Sequence, residues 1–242
     1  MQNDSDMVVD HFRECTSDRT PTLTRHSANV VYAPVSSDTE VTKRCLSVLS
    51  EAEVLRAERF VTEELRGNFT QRRAFRRYCG ALAIGSPDPL SQIVFDEQDK
   101  GRPYLPIRLD ISFSFSACRS GFLGSWSATN SIGVDIEDKT QDIEAVDLAH
   151  QFFSAAEAIA IEEASGPARQ RTFLQLWCLK EAALKCIGEG LPMGLDSFEF
   201  DLGPSLRVVR TPRYLDASWQ FSPFMIEAID CFAALVIRIP AR

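Results

Sequence analysis

The strongest constraint on the fold is an apolar stretch, TFLQLWCLKEAALKCI, at residues 172–187. Its apolar side chains would cover most of the circumference of a helix that ends at Gly188, so the pattern predicts a helix that other elements surround. The charged residues of such a helix share little exposed surface. Glu181 and Lys185, four residues apart, lie on one face, whereas Lys180 is turned about 100° away.

A second constraint is the segment SIGVDIED at residues 131–138, whose alternation of apolar and acidic residues predicts a strand. Because strand side chains alternate between faces, the carboxylates of Asp135 and Glu137 point the same way, about 6–7 Å apart. An edge strand with one solvated face explains this octapeptide by itself. A third carboxylate, Glu181 on the mostly apolar helix, needs a partner if it is buried, and the three together would suit a hard cation such as Mg²⁺.

The rest of the chain predicts an α+β fold. Helical and strand-like segments occur in both halves of the sequence, joined by short connections. Capping boxes begin two of the predicted helices, at Ser50 with Glu53 and at Ser154 with Glu157. The halves share a coarse order of helices followed by hairpin-like strands. This order permits an internal repeat, although no self-similarity between residues proves it.

The composition restricts the class of function. A net charge of −8 argues against a general nucleic-acid binder, because contacts to phosphate need clustered Lys and Arg. No run approaches the ~18 apolar residues of a membrane helix, and the first residues lack the pattern of a signal peptide. The scattered cysteines and histidines give no zinc motif. We therefore expect a cytoplasmic protein that binds neither nucleic acid nor membrane.

One basic segment differs from the acidic average. Residues 56–77, RAERFVTEELRGNFTQRRAFRR, contain seven arginines and three glutamates. A solvated helix face is the usual explanation for such a run of charges. An anion-binding face is the alternative.

The two constraining segments also occur together in a known family. IGVDIED (132–138) followed by LWCLKEAALKCIGEGL (176–191) resembles the signature motifs of the 4′-phosphopantetheinyl transferase superfamily, [IV]-G-[IV]-D-x-E and W-x-x-K-E-[AS]-x-x-K. The resemblance covers about residues 50–200 and is greatest to the long, Sfp-type members. Further similar segments are the basic helix, KGRPYLP (100–106), FSFSA (113–117) and QFFSAAE (151–157).

The resemblance implies a fold, a domain organisation and an activity. It implies two similar α/β halves, residues 29–130 and 131–242, related by a pseudo-two-fold axis, with the active site between them. Residues 1–28 are polar and lack periodicity, which predicts a flexible leader. It implies a holo-[acyl-carrier-protein] synthase type of enzyme. Such an enzyme transfers 4′-phosphopantetheine from coenzyme A to a serine of an apo acyl or peptidyl carrier protein, uses Mg²⁺ and releases 3′,5′-ADP. We expect it to be a monomer.

The resemblance also assigns residues of the acidic motifs. Asp135, Glu137 and Glu181 are the expected metal ligands, and Asp135 and Lys185 are also expected to bind coenzyme A. Glu181 is the expected base that removes the proton of the carrier serine, and Lys185 the cation beside the developing charge. Lys180 matches the motif, but its different facing predicts a supporting role.

Four further residues are expected to bind coenzyme A by their positions in the family pattern. Arginine can contact phosphate through two nitrogens at once. For each arginine, a solvated helix face stays the alternative. The residues are Arg56, Arg73, Arg102 and Ser116.

One position departs from the family pattern. Ala117 replaces the histidine that contacts the phosphates of coenzyme A in the family, so one donor is lost. Arg119 would take its place only if the strand continues that far. An alternative function follows from this loss: a catalytically impaired, transferase-like module that binds carrier proteins. The intact acidic residues and Lys185 argue against that alternative, and a Mg²⁺-dependent nucleotide phosphatase is a weaker third possibility.

Overall fold

The chain forms two compact units, Met1–Thr129 and Asn130–Arg242, in a computed structural model. The division lies one residue from the boundary predicted after residue 130. Helices and antiparallel sheets occur in both units, so the predicted α+β class is confirmed. The structure describes residues 4–17, 28–140, 143–188, 194–212 and 217–240.

The N-terminal unit combines helices with two small antiparallel sheets. Strands β1, β5 and β4 form one sheet in that order, and β2 pairs with β3. The helices are α1 (Asp4–Ser17), α2 (Thr39–Ser47), α3 (Glu51–Ala57) and α4 (Glu63–Ile84). The strands are β1 (Asn29–Pro34), β2 (Asp96–Glu97), β3 (Pro103–Tyr104), β4 (Ser112–Ala117) and β5 (Gly121–Ser127).

Helix α1 lies within residues 1–28, for which the sequence predicts a flexible leader. Val8 and Phe12, four residues apart, are buried in the core of the N-terminal unit. The ring of Phe12 lies 5.5 Å from the rings of both Phe75 and Tyr78. A helix this short is stabilised mainly by such packing, which local sequence patterns do not reveal. The remainder of the expected leader, residues 1–3 and 18–27, is outside the described residues.

The C-terminal unit has the same kinds of element. Strands β6, β10 and β9 form a sheet in that order, and β7 pairs with β8. The helices are α5 (Ala145–Phe152), α6 (Ala155–Glu163) and α7 (Gly166–Ile187). The strands are β6 (Ser131–Asp138), β7 (Glu199–Asp201), β8 (Arg207–Arg210), β9 (Ala217–Ile226) and β10 (Cys231–Pro240). Within the described ranges, every helix is too short or too polar to cross a bilayer.

The two units share one topology. From β1 and from β6 onward, each passes through a group of helices and a two-stranded sheet, and then ends in two antiparallel strands. In each three-stranded sheet the first strand pairs with the last, which pairs with the strand before it. The internal repeat that the sequence permitted is thus visible in the order of elements. The pseudo-two-fold axis and the position of the active site between the halves stay predictions.

An ion pair at the start of a short helix also recurs in the two units. Both predicted capping boxes are present, at the starts of α3 and α6. The glutamate of each box pairs with a buried cation on the long helix of its unit: Glu53 with Arg77 on α4, and Glu157 with Lys180 on α7. Each pair therefore fixes a short helix against a long one.

Candidate active site

Strand β6 packs against helix α7 at Gly133. A Cβ atom at this position would lie 1.9 Å from the carbonyl oxygen of Ala182 and 2.5 Å from the backbone nitrogen of Cys186. No side chain fits there, so the glycine is what allows the two backbones to approach. Because strand side chains alternate, Asp135 and Glu137 share the face of Gly133 and point toward α7.

Both faces of β6 are buried for most of its length. The opposite face carries Ile132, Val134 and Ile136, which are all in the core. Asp135 is buried on the helix-facing side, and Glu137 is half-buried there. The solvated strand face that the sequence also allowed is therefore wrong, because α7 covers the side that carries the acids.

Lys185 of α7 forms an ion pair with Asp135. Its Nζ atom lies 2.6 Å from Asp135 Oδ1, and the side chains of Asp135 and Lys185 are 5% and 32% exposed. Burial favours the neutral amine, but the charge and hydrogen bond of Asp135 outweigh it, with the charge of Glu181, and raise the pKa of Lys185. Lys185 is therefore a cation at neutral pH.

Glu181 lies close to the ion pair of Asp135 and Lys185. Burial raises the pKa of its carboxyl above the ordinary value, the negative charge of Asp135 raises it further, and Lys185 opposes both. Burial also raises the pKa of the Cys178 thiol, followed by the charges of Asp135 and Glu137. Asp135 and Glu181 thus repel each other, and a bound cation would relieve this repulsion, while Glu137 acts on Cys178 of α7 from the same strand face as Asp135. Carboxylate oxygens suit Mg²⁺, so this donor set fits the predicted metal.

Lys180 points away from the acidic group. It is 0% exposed, and its Nζ atom lies 2.7 Å from Glu157 Oε2. It also donates hydrogen bonds to the carbonyl oxygens of Leu195 (3.0 Å) and Phe198 (2.5 Å). These contacts attach the chain after α7, and the start of α6, to the helix turn that carries Glu181. They agree with a supporting role for Lys180.

The arginines of the N-terminal unit form a second group, around the ring of Phe69. The guanidinium carbons of Arg56, Arg72 and Arg73 lie 5.5, 5.7 and 5.3 Å from the ring centroid. The structure thus brings together Arg56 and Arg73, two of the predicted cofactor residues. Arg72 was not assigned from the sequence, although the three- and four-residue spacing from Phe69 to Arg72 and Arg73 places them on one helix face.

Arg102 and Ser116 belong to a different face of strand β4. Arg102 donates a hydrogen bond to Ser112 Oγ at 2.6 Å. Ser112 and Ser116 share one face of the strand, and Phe115 lies on the opposite face. Arg76 lies over Phe115, with its guanidinium carbon 5.3 Å from the ring centroid. Arg102 and Ser116 therefore lie on the face of β4 opposite Phe115 and Arg76, apart from the arginines around Phe69.

Arg119 does not lie where the missing imidazole would be. Strand β4 ends at Ala117, so the alternation that would place residues 117 and 119 on one side ends there too. The side chain of Arg119 is 86% exposed and lies 4.0 Å from Glu64. The condition on which Arg119 was to replace the histidine is not met.

The fold and the acidic site define a class of protein, a transferase with paired motifs on a strand and a helix. Residues 131–233 match the 4′-phosphopantetheinyl transferase superfamily. The 4′-phosphopantetheinyl transferase HetI of Nostoc sp. is 32% identical over 164 residues, covering 66% of this chain and 67% of HetI. This chain belongs to the 4′-phosphopantetheinyl transferase superfamily, and the predicted family and enzyme class are confirmed.

Two further relatives are also 4′-phosphopantetheinyl transferases. The 4′-phosphopantetheinyl transferase gsp of Aneurinibacillus migulanus is 26% identical over 143 residues, covering 59% of this chain and 58% of gsp. The 4′-phosphopantetheinyl transferase Sfp of Bacillus subtilis is 33% identical over 112 residues, covering 46% of this chain and 49% of Sfp. The matches to these two thus span between about half and three fifths of the relatives' lengths.

Proposed function

We propose that this chain transfers 4′-phosphopantetheine from coenzyme A to a serine of an apo acyl or peptidyl carrier protein, with Mg²⁺ bound, and releases 3′,5′-ADP. The observation that supports this best is the group of Asp135, Glu137 and Glu181 with Lys185 in a member of this family. We further propose that the enzyme works as a cytoplasmic monomer.

The acidic group would hold the metal. Asp135, Glu137 and Glu181 supply carboxylate oxygens from one strand face and the helix turn that it contacts. When bound, Mg²⁺ would neutralise charge on the pyrophosphate oxygens of coenzyme A. The ion pair with Lys185 keeps the Asp135 carboxylate in a fixed position before any substrate arrives.

Glu181 is the proposed base. A raised pKa makes a carboxylate a better proton acceptor. The carrier serine oxygen attacks the β-phosphorus of coenzyme A, and its proton passes to the Glu181 carboxylate. The bond from that phosphorus to the bridging oxygen breaks, and 3′,5′-ADP leaves with the electron pair. The proton of the serine thus has a defined acceptor.

Lys185 is the proposed electrostatic partner of the transferring group. Its raised pKa keeps the ammonium charged, and a third of the side chain is exposed, so it can approach a phosphoryl oxygen. Negative charge that develops there would be stabilised in place. The arginine group around Phe69, together with Arg102 and Ser116, would hold the phosphates of coenzyme A.

Mass spectrometry of carrier proteins tests the proposal. Incubation with coenzyme A, Mg²⁺ and a panel of apo carriers should add the mass of one phosphopantetheine group to at least one carrier. Asp135→Ala and Glu181→Ala should abolish this gain, whereas Glu163→Ala, an exposed acid on α6, should not. Binding of carriers without any mass gain in the wild-type protein would favour the impaired carrier-binding module instead.

A further inference from the structure

Arg72, Arg73 and Arg76 of α4 contain four buried nitrogen atoms that lack a hydrogen-bond partner. They are the Nε atoms of all three arginines and the Nη1 atom of Arg76. An unsatisfied donor on a buried charged group is costly, because it loses its hydrogen bonds to water without replacement. Such a group of donors is stable when an acceptor fills the space between them.

The surrounding carboxylates do not supply enough negative charge. Glu97 lies 3.6 Å from Arg73 and 3.5 Å from Arg76, beyond a good hydrogen bond. Glu53 lies 3.8 Å from Arg73 and is also the partner of Arg77. Two carboxylates thus face these four arginines, and Arg56 adds a further positive charge at the ring of Phe69.

Repulsion within the group agrees with this imbalance. Burial lowers the pKa of Arg76 to about 10, with repulsion by Arg73 and Arg72 as the next causes. Burial also lowers the pKa of Arg72, again followed by repulsion from Arg73 and then Arg56. A bound anion would reverse both shifts, because opposite charge stabilises the guanidinium.

Arg76 lies near the end of strand β4 that carries residue 117. Its guanidinium covers the ring of Phe115, and Ala117 lies two residues further along the same face of β4. Arg76 therefore lies on the strand face where the residue 117 side chain begins. A larger side chain at 117 would enter the space beside this guanidinium.

A cavity lined in part by Arg56 adjoins the arginine group. It has a volume of about 480 Å³ and is lined by Ala52, Arg56, Arg59 and Phe60. The ring of Phe60 lies 5.2 Å from that of Phe69, which connects the cavity to the arginines. Its volume lies within the range of small-molecule sites, so a nucleotide can extend into it from an anion held by the group.

We propose that Arg72, Arg73 and Arg76 bind a phosphomonoester dianion, the 3′-phosphate of the nucleotide, and so make the contact that Ala117 cannot. The identity of this nucleotide as coenzyme A rests on the proposed function. Neither Arg72 nor Arg76 was assigned by the resemblance. Three guanidinium groups supply several donors to a dianion, and the four unsatisfied nitrogens can donate to its oxygens.

Calorimetric binding of two nucleotides tests the assignment without any transfer. 3′,5′-ADP carries the 3′-phosphate and 5′-AMP lacks it. Arg76→Met and Arg72→Met should each weaken the binding of 3′,5′-ADP at least tenfold and change the affinity for 5′-AMP less than twofold. Arg13→Met, at an exposed arginine on α1, should change neither. Equal weakening of both nucleotides, or none, would overturn the assignment.

A second variant separates charge from folding. Arg76→Lys keeps the positive charge but offers fewer, differently placed donors. It should bind 3′,5′-ADP between the wild type and Arg76→Met, while thermal denaturation shows both variants folded. If Arg72→Met and Arg76→Met both fail to fold, a folded Arg76→Lys variant that binds 3′,5′-ADP with wild-type affinity would still reject the proposal. If the arginine variants lose 3′,5′-ADP but not 5′-AMP as expected, and the wild-type protein transfers no phosphopantetheine, only the proposed function is contradicted.

Discussion

Lys180 and Glu157 form a buried ion pair, and both side chains also form hydrogen bonds to backbone groups. The side chains are 0% and 2% exposed, and Lys180 Nζ lies 2.7 Å from Glu157 Oε2. Glu157 also accepts hydrogen bonds from the backbone nitrogens of Ser154 and Phe200, both at 2.9 Å. Because Lys180 directly precedes Glu181, the pair fixes the helix turn that carries the proposed base.

Removal of one partner of this pair should be strongly destabilising. Lys180→Met leaves the Glu157 carboxylate buried without its cation, a change that typically costs about 3–5 kcal/mol. Denaturant unfolding monitored by tryptophan fluorescence would measure it. Adding Glu157→Gln to Lys180→Met should recover part of the loss, because the uncompensated charge is removed.

An exposed pair in the same unit provides the control. Lys139 and Asp230 lie 2.9 Å apart with about half of each side chain exposed. Lys139→Met should therefore cost at most about 1 kcal/mol. If Lys180→Met proves no more harmful than Lys139→Met, the buried pair does not stabilise the C-terminal unit as argued.

Glu181→Gln should stabilise the metal-free protein at neutral pH. The raised pKa means that the folded chain holds the Glu181 proton more tightly than the unfolded chain does, so ionisation costs stability. The cost is complete above the raised pKa and disappears as the pH falls toward the ordinary value of 4.5. Unfolding in EDTA at pH 7 and at lower pH would show a gain that shrinks with acidity. A gain independent of pH, or a loss, would contradict it.

Gly133→Ala should disrupt the acidic site through the backbone. The added Cβ would lie 1.9 Å from the carbonyl oxygen of Ala182, so α7 must move away from β6. We expect lower stability and loss of transfer, because the Asp135–Lys185 contact depends on this packing.

A glycine without such a contact serves for comparison. At Gly67, on α4, a Cβ would meet Thr42 at an ordinary 3.6 Å. Gly67→Ala should therefore stabilise the N-terminal unit by about 0.5–1 kcal/mol through its helix propensity. Thermal denaturation of Gly133→Ala and Gly67→Ala would measure the two changes in stability. Similar changes would argue against the role of Gly133.

The directions in which the acidic residues point could be predicted because local geometry sets them. The alternation around Asp135 and the four-residue spacing of Glu181 and Lys185 fix which way each group points, once the elements are known. The burial of β6 on both faces could not be predicted, because it depends on Gly133 meeting a helix about fifty residues away in the chain. Pattern alone therefore allowed a solvated strand face.

The misses in the N-terminal unit have the same origin. Helix α1 is stabilised by Phe12 inserted between aromatic rings that come much later in the sequence. The basic run 56–77 predicted an anion-binding face as one alternative, but it did not separate the arginines that converge on Phe69 from Arg66, which stays exposed. Convergence of this kind depends on tertiary packing, which spacing along one helix does not determine.

Ala117→His tests whether the arginine group has taken over the phosphate contact of residue 117. A site that simply lacked one charge-assisted donor would gain about 1.5–3 kcal/mol from the imidazole, a roughly ten- to hundredfold lower KM for coenzyme A. The structure predicts otherwise, because the new ring would crowd Arg76 above Phe115. We therefore expect the KM for coenzyme A to stay level or rise. Steady-state kinetics with coenzyme A and dephospho-coenzyme A would measure it.

Comparing coenzyme A with dephospho-coenzyme A shows whether residue 117 acts on the 3′-phosphate. A lower KM for coenzyme A alone would show that position 117 lacks a donor and that Arg76 does not replace it. An equal improvement for both substrates would mean that residue 117 does not reach the 3′-phosphate. Combining Ala117→His with Arg76→Leu removes the crowding, so the double variant should bind coenzyme A better than Arg76→Leu alone. No such recovery would show that the imidazole and the guanidinium do not share one site.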